Sequence, residues 1–413
     1  MNKHTYRTKK VNEIDWSQLW NGWSGQPLVL AVDIAKEMQY AELSAQGQDK
    51  TVLLRWDHLK ESTTLIGHLK RFGGTVTVVM ESSGTYGDSL RHLCRQAGFA
   101  VHQASAKRVH DAREIFDGVP SLHDAKAACL IAKLHRDGLT RPWPEPGDKE
   151  RTLGALRREL ELHQSQYERN QNRLEAYLGR HWPEVLPLLP LDSVTLEQTL
   201  KRYGSSAEIA LHAGEAAEAM RRTGRQFLAQ EKIDAVVASA GATLGEPCIE
   251  AERRYLMALA GELEHSRLHM RQARQALESM VEADGALAEM ARTVGCLTTA
   301  ILPGLGLDPR HFANARAFQK ALGLNLKEKS SGRHKGELKL AKRGSAMARK
   351  YLYYAALRLI KSDPVVARWY GGKQDGQAKL KAVIAVVRKL AMALWHVARG
   401  QKFDAGRLLM AKA

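Results

Sequence analysis

Two apolar, β-branched runs in the N-terminal part of the chain each end in a carboxylate, and this pairing constrains the fold more than any other feature. Asp33 closes Leu28-Val29-Leu30-Ala31-Val32, and Glu81 closes Thr75-Val76-Thr77-Val78-Val79-Met80. Such runs predict buried strands of a sheet whose faces are covered by helices. A third acid, Asp124, lies near the start of the helix-like stretch 123–134. Two carboxylates at the ends of neighbouring strands, met by a third from a later helix, can hold Mg2+ on a phosphodiester. That is the layout a polynucleotidyl-transfer site of the ribonuclease-H-like kind requires.

The surrounding pattern is consistent with such a sheet. Strands are expected near 28–35, 38–44, 51–56, 75–81 and 99–103, and helices near 60–71, 87–97 and 122–136. Three early strands followed by strand–helix alternation describe a mixed sheet with helices on its faces. Gly84, close behind Glu81, permits a sharp strand-to-helix turn. Residues 1–26 form a basic extension in which Trp16, Trp20 and Trp23 fall on one helical face, suited to packing on the first domain. The run Arg141-Pro142-Trp143-Pro144-Glu145-Pro146-Gly147 ends a first domain spanning 27–147.

Beyond it, Leu153, Leu156, Leu160, His163, Tyr167, Asn170, Leu174 and Tyr177 alternate three- and four-residue steps, the seam of a coiled coil. A second seam runs through Leu256, Leu259, Leu263, Ser266, Met270, Ala273, Leu277 and Met280. With a helical stretch at 190–245 between them, the two helices can fold back antiparallel or pair between protomers, which makes 148–289 a coiled coil with a helical insert. Residues 290–413 form the last domain, closed by a helix over 380–399 with Val383, Val386, Val387, Leu390 and Leu394 on its apolar face.

Charge narrows the partners. A formal net charge of +17 makes a polyanion the expected ligand. Cations concentrate at Lys327, Lys329, Arg333, Lys335, Lys339, Lys342, Arg343, Arg349 and Lys350, against Glu328 and Glu337. Gly332, Gly336 and Gly344 among them would let backbone N–H groups approach phosphates. Cys94, Cys129, Cys248 and Cys296 are scattered without a CxxC pair, which fits a reducing compartment and neither a zinc site nor a disulfide framework. No apolar run reaches the roughly 18 residues of a membrane span, and Met1-Asn2-Lys3-His4 lacks the apolar core of a signal peptide, so a cytosolic protein is expected.

The ordered motifs resemble one family, the DEDD transposases of bacterial insertion sequences related to the Piv invertase, with insertion-sequence family one-ten as the type. The matching residues are Val32-Asp33-Ile34-Ala35-Lys36, Glu81-Ser82-Ser83-Gly84-Thr85-Tyr86 and His123-Asp124-Ala125-Lys126. In the C-terminal part they are Gly323-Leu324, Ser331-Gly332, Lys342-Arg343-Gly344 and Val386-Val387-Arg388-Lys389-Leu390. The resemblance covers about residues 27–405. It implies an α/β plus α chain: a RuvC-like sheet domain, a central antiparallel coiled coil and a mainly helical C-terminal transposase domain.

By the same resemblance, Asp33, Glu81 and Asp124 are the catalytic Mg2+ ligands and Ser331 is a nucleophile that forms a covalent phosphoserine, with Ser330 the less fitting neighbour. The implied partners are a guide (bridge) RNA and target and donor DNA, handled by homodimers that assemble into tetramers in a bacterial, nucleoid-associated setting. One departure stands out. The family pattern places a fourth aspartate three residues after the third, where this chain has Ala127. An engineered inactive variant, a natural inactive copy, and compensation by Asp88 or Asp117 all fit that substitution. Two other functions therefore stay open: a RuvC-like structure-specific endonuclease that activates water, and a catalytically impaired nucleic-acid-binding protein.

Overall fold

A computed structural model describes residues 6–81, 84–328, 336, 338–374 and 378–410. The chain forms two compact units, Met1–Glu145 and Pro146–Ala413.

The first unit is a mixed sheet with helices. Its strands are β1 (Lys9–Lys10), β2 (Leu28–Asp33), β3 (Met38–Ala45), β4 (Val52–Asp57), β5 (Val76–Glu81), β6 (Ala100–Ala104) and β7 (Arg141–Pro142), in the order β1-β4-β3-β2-β5-β6-β7. β2, β3 and β4 are antiparallel neighbours, whereas β5 runs parallel to β2 and β6 parallel to β5. This agrees with the ribonuclease-H-like sheet expected from the sequence. The helices are α1 (Trp16–Trp23), α2 (His58–Lys70), α3 (Asp88–Gln96), α4 (Ala106–Asp117) and α5 (Asp124–Arg136).

The extension at 1–26, expected to pack on the first domain, is built into this unit over its described residues 6–26. β1 adds a parallel edge to β4, and Val11, Ile14, Trp16, Leu19 and Trp23 join the cluster that holds Leu28, Leu30, Trp56 and Phe72. Trp16 also stacks on His68 with ring centroids 4.5 Å apart. The α4 helix has no counterpart among the sequence expectations. Its apolar stripe is thin, with Val109 its only buried residue and Ala112 and Phe116 partly buried beside it.

In the second unit, α6 (Asp148–His181) and α11 (Glu250–Glu282) pack antiparallel. Lys149, at the start of α6, pairs with Asp284 just past α11, and Arg180, at the end of α6, reaches Glu252 in the first turn of α11 at 3.6 Å. Every residue of the two seams named above is buried or half-buried. At one end lies an insert of α7 (Val194–Tyr203), α8 (Ser206–Leu211), α9 (Ala213–Gly224) and α10 (Gln230–Gly241), whose cluster shares Leu174, Leu178, Leu256, Leu259 and Leu263 with the pair.

At the other end, Leu153, Leu160, Ala273, Leu277 and Val281 continue into the core of the C-terminal helices. These are α12 (Gly285–Val294), α13 (Cys296–Gly304), α14 (Ala315–Ala321), α15 (Ala346–Ser362), α16 (Pro364–Gln374), α17 (Lys379–Val397) and α18 (Ala405–Met410), with the short pair β8 (Leu326–Lys327) and β9 (Lys339–Leu340). The boundary that the sequence places between 289 and 290 therefore crosses one continuous apolar cluster. No helix among the described residues is long and apolar enough to cross a membrane.

The seam contains a hydroxyl with no partner. Ser266 is fully buried and its hydroxyl makes no hydrogen bond, which leaves a desolvated donor and acceptor in an apolar layer. Ser266→Ala is expected to stabilise the protein by about 1 kcal/mol, whereas Leu263→Ala, less than one turn away and 1% exposed, should cost about 2–5 kcal/mol. Urea unfolding followed by far-ultraviolet circular dichroism reads both.

Candidate active site

The parallel register of β2 and β5 sets the first two acids side by side. Val32 pairs with Met80, so Asp33 and Glu81 stand one step further on, at the carboxyl ends of adjacent strands. Both are half-buried. Gly84 has φ +57, the left-handed conformation that turns the chain away from β5.

The third acid arrives on α5, which packs across β2 and β3. Small residues permit that close approach: Ala125, Ala127, Ala128 and Ala132 are all buried in it. Asp124 is the first residue of α5 and is exposed, where the helix N-terminus favours a carboxylate. His123 caps the helix, its Nδ1 accepting the Lys126 N–H at 3.3 Å.

The three acids act on one another. Burial first, then Asp124, then Glu81 push the Asp33 carboxyl up to about 7. No cation appears among these influences. Carboxylates that repel one another around a half-buried acid are what a divalent ion relieves, so this oxygen donor set fits a hard divalent cation. It is an open arrangement rather than a single-ion cage. Among the described residues, the groups with ligand atoms within 4.8 Å of one another lie elsewhere: Glu159/His163/His269, His181/Cys248/Glu252 and Glu150/Asp308/His311.

One residue of the sequence motif has a structural task that spacing did not reveal. Lys126 is 1% exposed, and its ammonium donates to Asp117 Oδ1 at 2.7 Å, to the Val119 carbonyl at 2.7 Å and to the Ser121 carbonyl at 2.9 Å. All three protons are thereby satisfied, and the loop that delivers Asp124 is tied to the helix behind it. Tyr6 donates to the other Asp117 oxygen at 2.6 Å and sets its ring edge against His123. The available signal was a lysine set among alanines in an otherwise apolar helix.

The same contacts decide how Ala127 is accommodated. Lys126 first, and then Tyr6, hold Asp117 down at about 2, so that carboxylate is engaged. Asp88 pairs with Arg91 at 2.8 Å. Neither stands among the charges acting on Asp33. Ala127 itself is 4% exposed and packs in a cluster with Ala31, Val79, Ala104, Val109 and Ile131.

Of the basic residues, Lys327 and Lys339 lie exposed on β8 and β9, and Lys342, Arg343 and Lys350 are exposed beyond them. Arg349 differs: its Nη1 donates to the Leu322 carbonyl at 3.1 Å and the Gly344 carbonyl at 2.9 Å, so it shapes the loop. Glycine is required there. A Cβ on Gly344 would sit 2.3 Å from the Ala321 carbonyl oxygen, and Gly323 has φ +71. Ser330, Ser331, Lys329, Arg333 and Lys335 lie outside the described residues. The sequence reading passed over a second basic face, where Arg267, Arg271 and Arg274 of α11 line a cavity with Lys350, Tyr167, Tyr351 and Tyr354. Arginines at near-helical spacing among tyrosines were the signal.

Comparison with protein-family models gives two matches. Residues 30–183 match the DEDD transposase model of the IS110 group, and residues 286–371 match the model described as Transposase IS116/IS110/IS902 family. No curated protein matches the chain.

The Lys126 clamp has a direct test. Lys126→Met removes all three bonds and leaves Asp117 without its cation, so the melting temperature is expected to fall by several degrees. A melting temperature equal to that of the unaltered protein, measured by scanning calorimetry, would remove the clamp from this account.

Proposed function

Because the chain belongs to the IS110 family of DEDD transposases and is a DNA transposase/recombinase, we propose that it is an RNA-guided recombinase that cuts and rejoins insertion-sequence DNA through a phosphoserine at Ser331. The observation that carries this reading is the convergence of Asp33, Glu81 and Asp124, where burial first, and then the two neighbouring acids, raise Asp33 to about 7. These three carboxylates would hold Mg2+, which polarises a phosphate and stabilises a leaving oxygen when bound. In this reading Ser331 supplies the nucleophile. Its Oγ–P bond forms as a P–O bond of the DNA backbone breaks, so the phosphodiester energy is kept for rejoining. Lys327, Lys329, Arg333, Lys335, Lys339, Lys342, Arg343 and Lys350 would neutralise backbone phosphates.

In the same proposal, base pairing by a bridge RNA selects target and donor DNA while the protein reads backbone shape. The α6–α11 pair serves as a coiled coil through which dimers associate into tetramers on the nucleoid. The division of labour follows 27–147 for metal, 148–289 for assembly and 290–413 for the nucleophile.

Ala127 favours a second reading, a nucleic-acid-binding protein with impaired chemistry, because the fourth acid of the family pattern is replaced inside an apolar cluster. One experiment separates the possibilities. Labelled donor DNA is incubated with the protein, its copurified RNA and Mg2+, and covalent adduct is read on denaturing gels. An adduct that Ser331→Ala abolishes, with RNA retention unchanged, supports the recombinase. Cleavage that survives Ser331→Ala points to a water-using nuclease, and no adduct from either the protein or Ala127→Asp supports the binding protein.

Ala127→Asp carries its own prediction. An aspartate at this buried position is desolvated unless a cation accompanies it. Its melting temperature should fall below that of the unaltered protein in EDTA, and Mg2+ should raise it by a larger increment than in the unaltered protein.

A further inference from the structure

We propose that His181, Cys248 and Glu252 form a zinc-type transition-metal site that braces the end of α6 to the start of α11. The three residues are far apart in sequence, yet their ligand atoms lie within 4.8 Å of one another. His181 Nε2 stands 3.8 Å from Glu252 Oε1. A tetrahedral ion with bonds of about 2.0–2.3 Å needs ligand atoms roughly 3.3–3.8 Å apart, so small side-chain adjustments would close the set.

Two of the three donors are already oriented, and the third, the Cys248 thiol, donates to the Ile249 carbonyl at 3.7 Å. His181 is 3% exposed, and its Nδ1 lies 2.8 Å from the Glu246 carbonyl. A carbonyl only accepts, so Nδ1 carries the proton, and in the neutral ring Nε2 presents a lone pair. That Nε2 is buried and has no hydrogen-bond partner. An imidazole held through one nitrogen with the other aimed at a thiol and a carboxylate is the arrangement of metal-ligating histidines. Glu252 is fixed in the same manner: its Oε2 accepts the Ile249 N–H at 3.1 Å, which leaves Oε1 toward His181.

The backbone is shaped for this proximity. Gly245 lies directly against the end of α6, where a Cβ would come within 2.3 Å of the His181 carbonyl group, and Glu246 N–H donates to the Arg180 carbonyl at 2.9 Å. Burial first, then the neighbouring Glu252, lift the Cys248 thiol above its ordinary range. Without a cation this thiol is therefore a poor nucleophile. Binding would exchange the thiol proton for the ion, the proton passing to solvent. Two cations compete: Arg180, whose Nη1 is 3.6 Å from Glu252 Oε1 while its Nε stays bonded to Glu246 at 2.7 Å, and Arg253, which acts on Cys248 while its Nε is bonded to Glu250 at 2.7 Å.

The donor chemistry separates this site from the acids of the first unit. Thiolate and imidazole select zinc-like ions, whereas carboxylates alone suit Mg2+. Three protein donors leave one position for water. The inference is independent of the recombinase reading, since it concerns only residues of α6, α11 and the segment between α10 and α11.

Cobalt(II) serves as the probe, because a thiolate ligand gives a near-ultraviolet charge-transfer band that oxygen and nitrogen ligands do not. The metal-stripped full-length protein, titrated with Co2+, is expected to develop this band to one equivalent, and Zn2+ should displace it. Cys248→Ser should abolish the band. His181→Gln and Glu252→Gln should weaken Co2+ binding at least about tenfold, and Glu252→Gln keeps an acceptor for the helix cap. His163→Gln should leave the band unchanged, since the Glu159/His163/His269 group holds no sulfur. The site is refuted if the unaltered protein, folded by circular dichroism, gives no band. A band that persists in Cys248→Ser, or one indifferent to both His181→Gln and Glu252→Gln, refutes it equally.

Discussion

The close seating of α5 on the sheet is the interaction on which the candidate chemistry depends. A helix can lie this near to strands only if the residues facing them are small, and Ala125, Ala127, Ala128 and Ala132 provide that. Its depth brings the first residue of the helix, Asp124, to the ends of β2 and β5. The buried Lys126 ammonium then fixes the preceding loop, using the Asp117 carboxylate and two carbonyls. A buried ammonium is tolerated because every proton has an acceptor. Packing and electrostatics thus cooperate at one helix end. The three acids share one region although they lie on a first strand, a fourth core strand and a later helix.

That convergence was legible in the sequence because each piece is local. Buried strands show as β-branched runs, a strand end shows where the run meets an acid, and the α6 and α11 seams show as alternating steps. Val32, Met80, Leu153 and Leu277 declare themselves through their immediate neighbours. What was not legible arises from contacts between distant residues or from elements with little or no stripe. The helix α4 has only a thin apolar stripe, and the two-residue strands β1 and β7 are too short to show a period. Arg349 reads as one more cation, yet its guanidinium is bonded to carbonyls at 322 and 344. Likewise, nothing local brings His181 and Cys248 together, and they meet only because two long helices fold back on each other.

The helix pair also shows how polar residues are distributed along a seam. Apolar layers at Leu153, Leu160, Leu174, Leu256 and Leu277 supply most of the burial, and the polar positions differ in how they are satisfied. Asn170 accepts from Arg173 at 3.0 Å. His163 stacks on His269, with ring centroids 4.8 Å apart, and keeps a buried Nδ1 without a partner. Ser266 has none at all. Such groups reduce stability but discriminate between registers, since sliding one helix by a turn would set them against leucines. The antiparallel alignment is fixed further by the charge pairs at its two ends, Lys149 with Asp284 and Arg180 with Glu252.

Ala127 is best understood through the same packing. It lies three residues after Asp124, one helical turn on, in a layer with Ala31 and Val79 of the strands that end in the acids or precede them. A carboxylate at that position would be buried among methyl groups, in a region where burial first, and then Asp124 and Glu81, already push Asp33 up to about 7. It would be stable only with a cation in place, because removing a charge from water without a counter-charge costs more than one helix contact returns. Alanine makes the folding of this helix independent of metal. In the proposed reading the same position lacks one of the oxygens that would grip a divalent ion, so Asp33, Glu81 and Asp124 would do so with less negative charge. A weaker hold on the metal would then accompany a cation-independent core, both from one missing carboxylate.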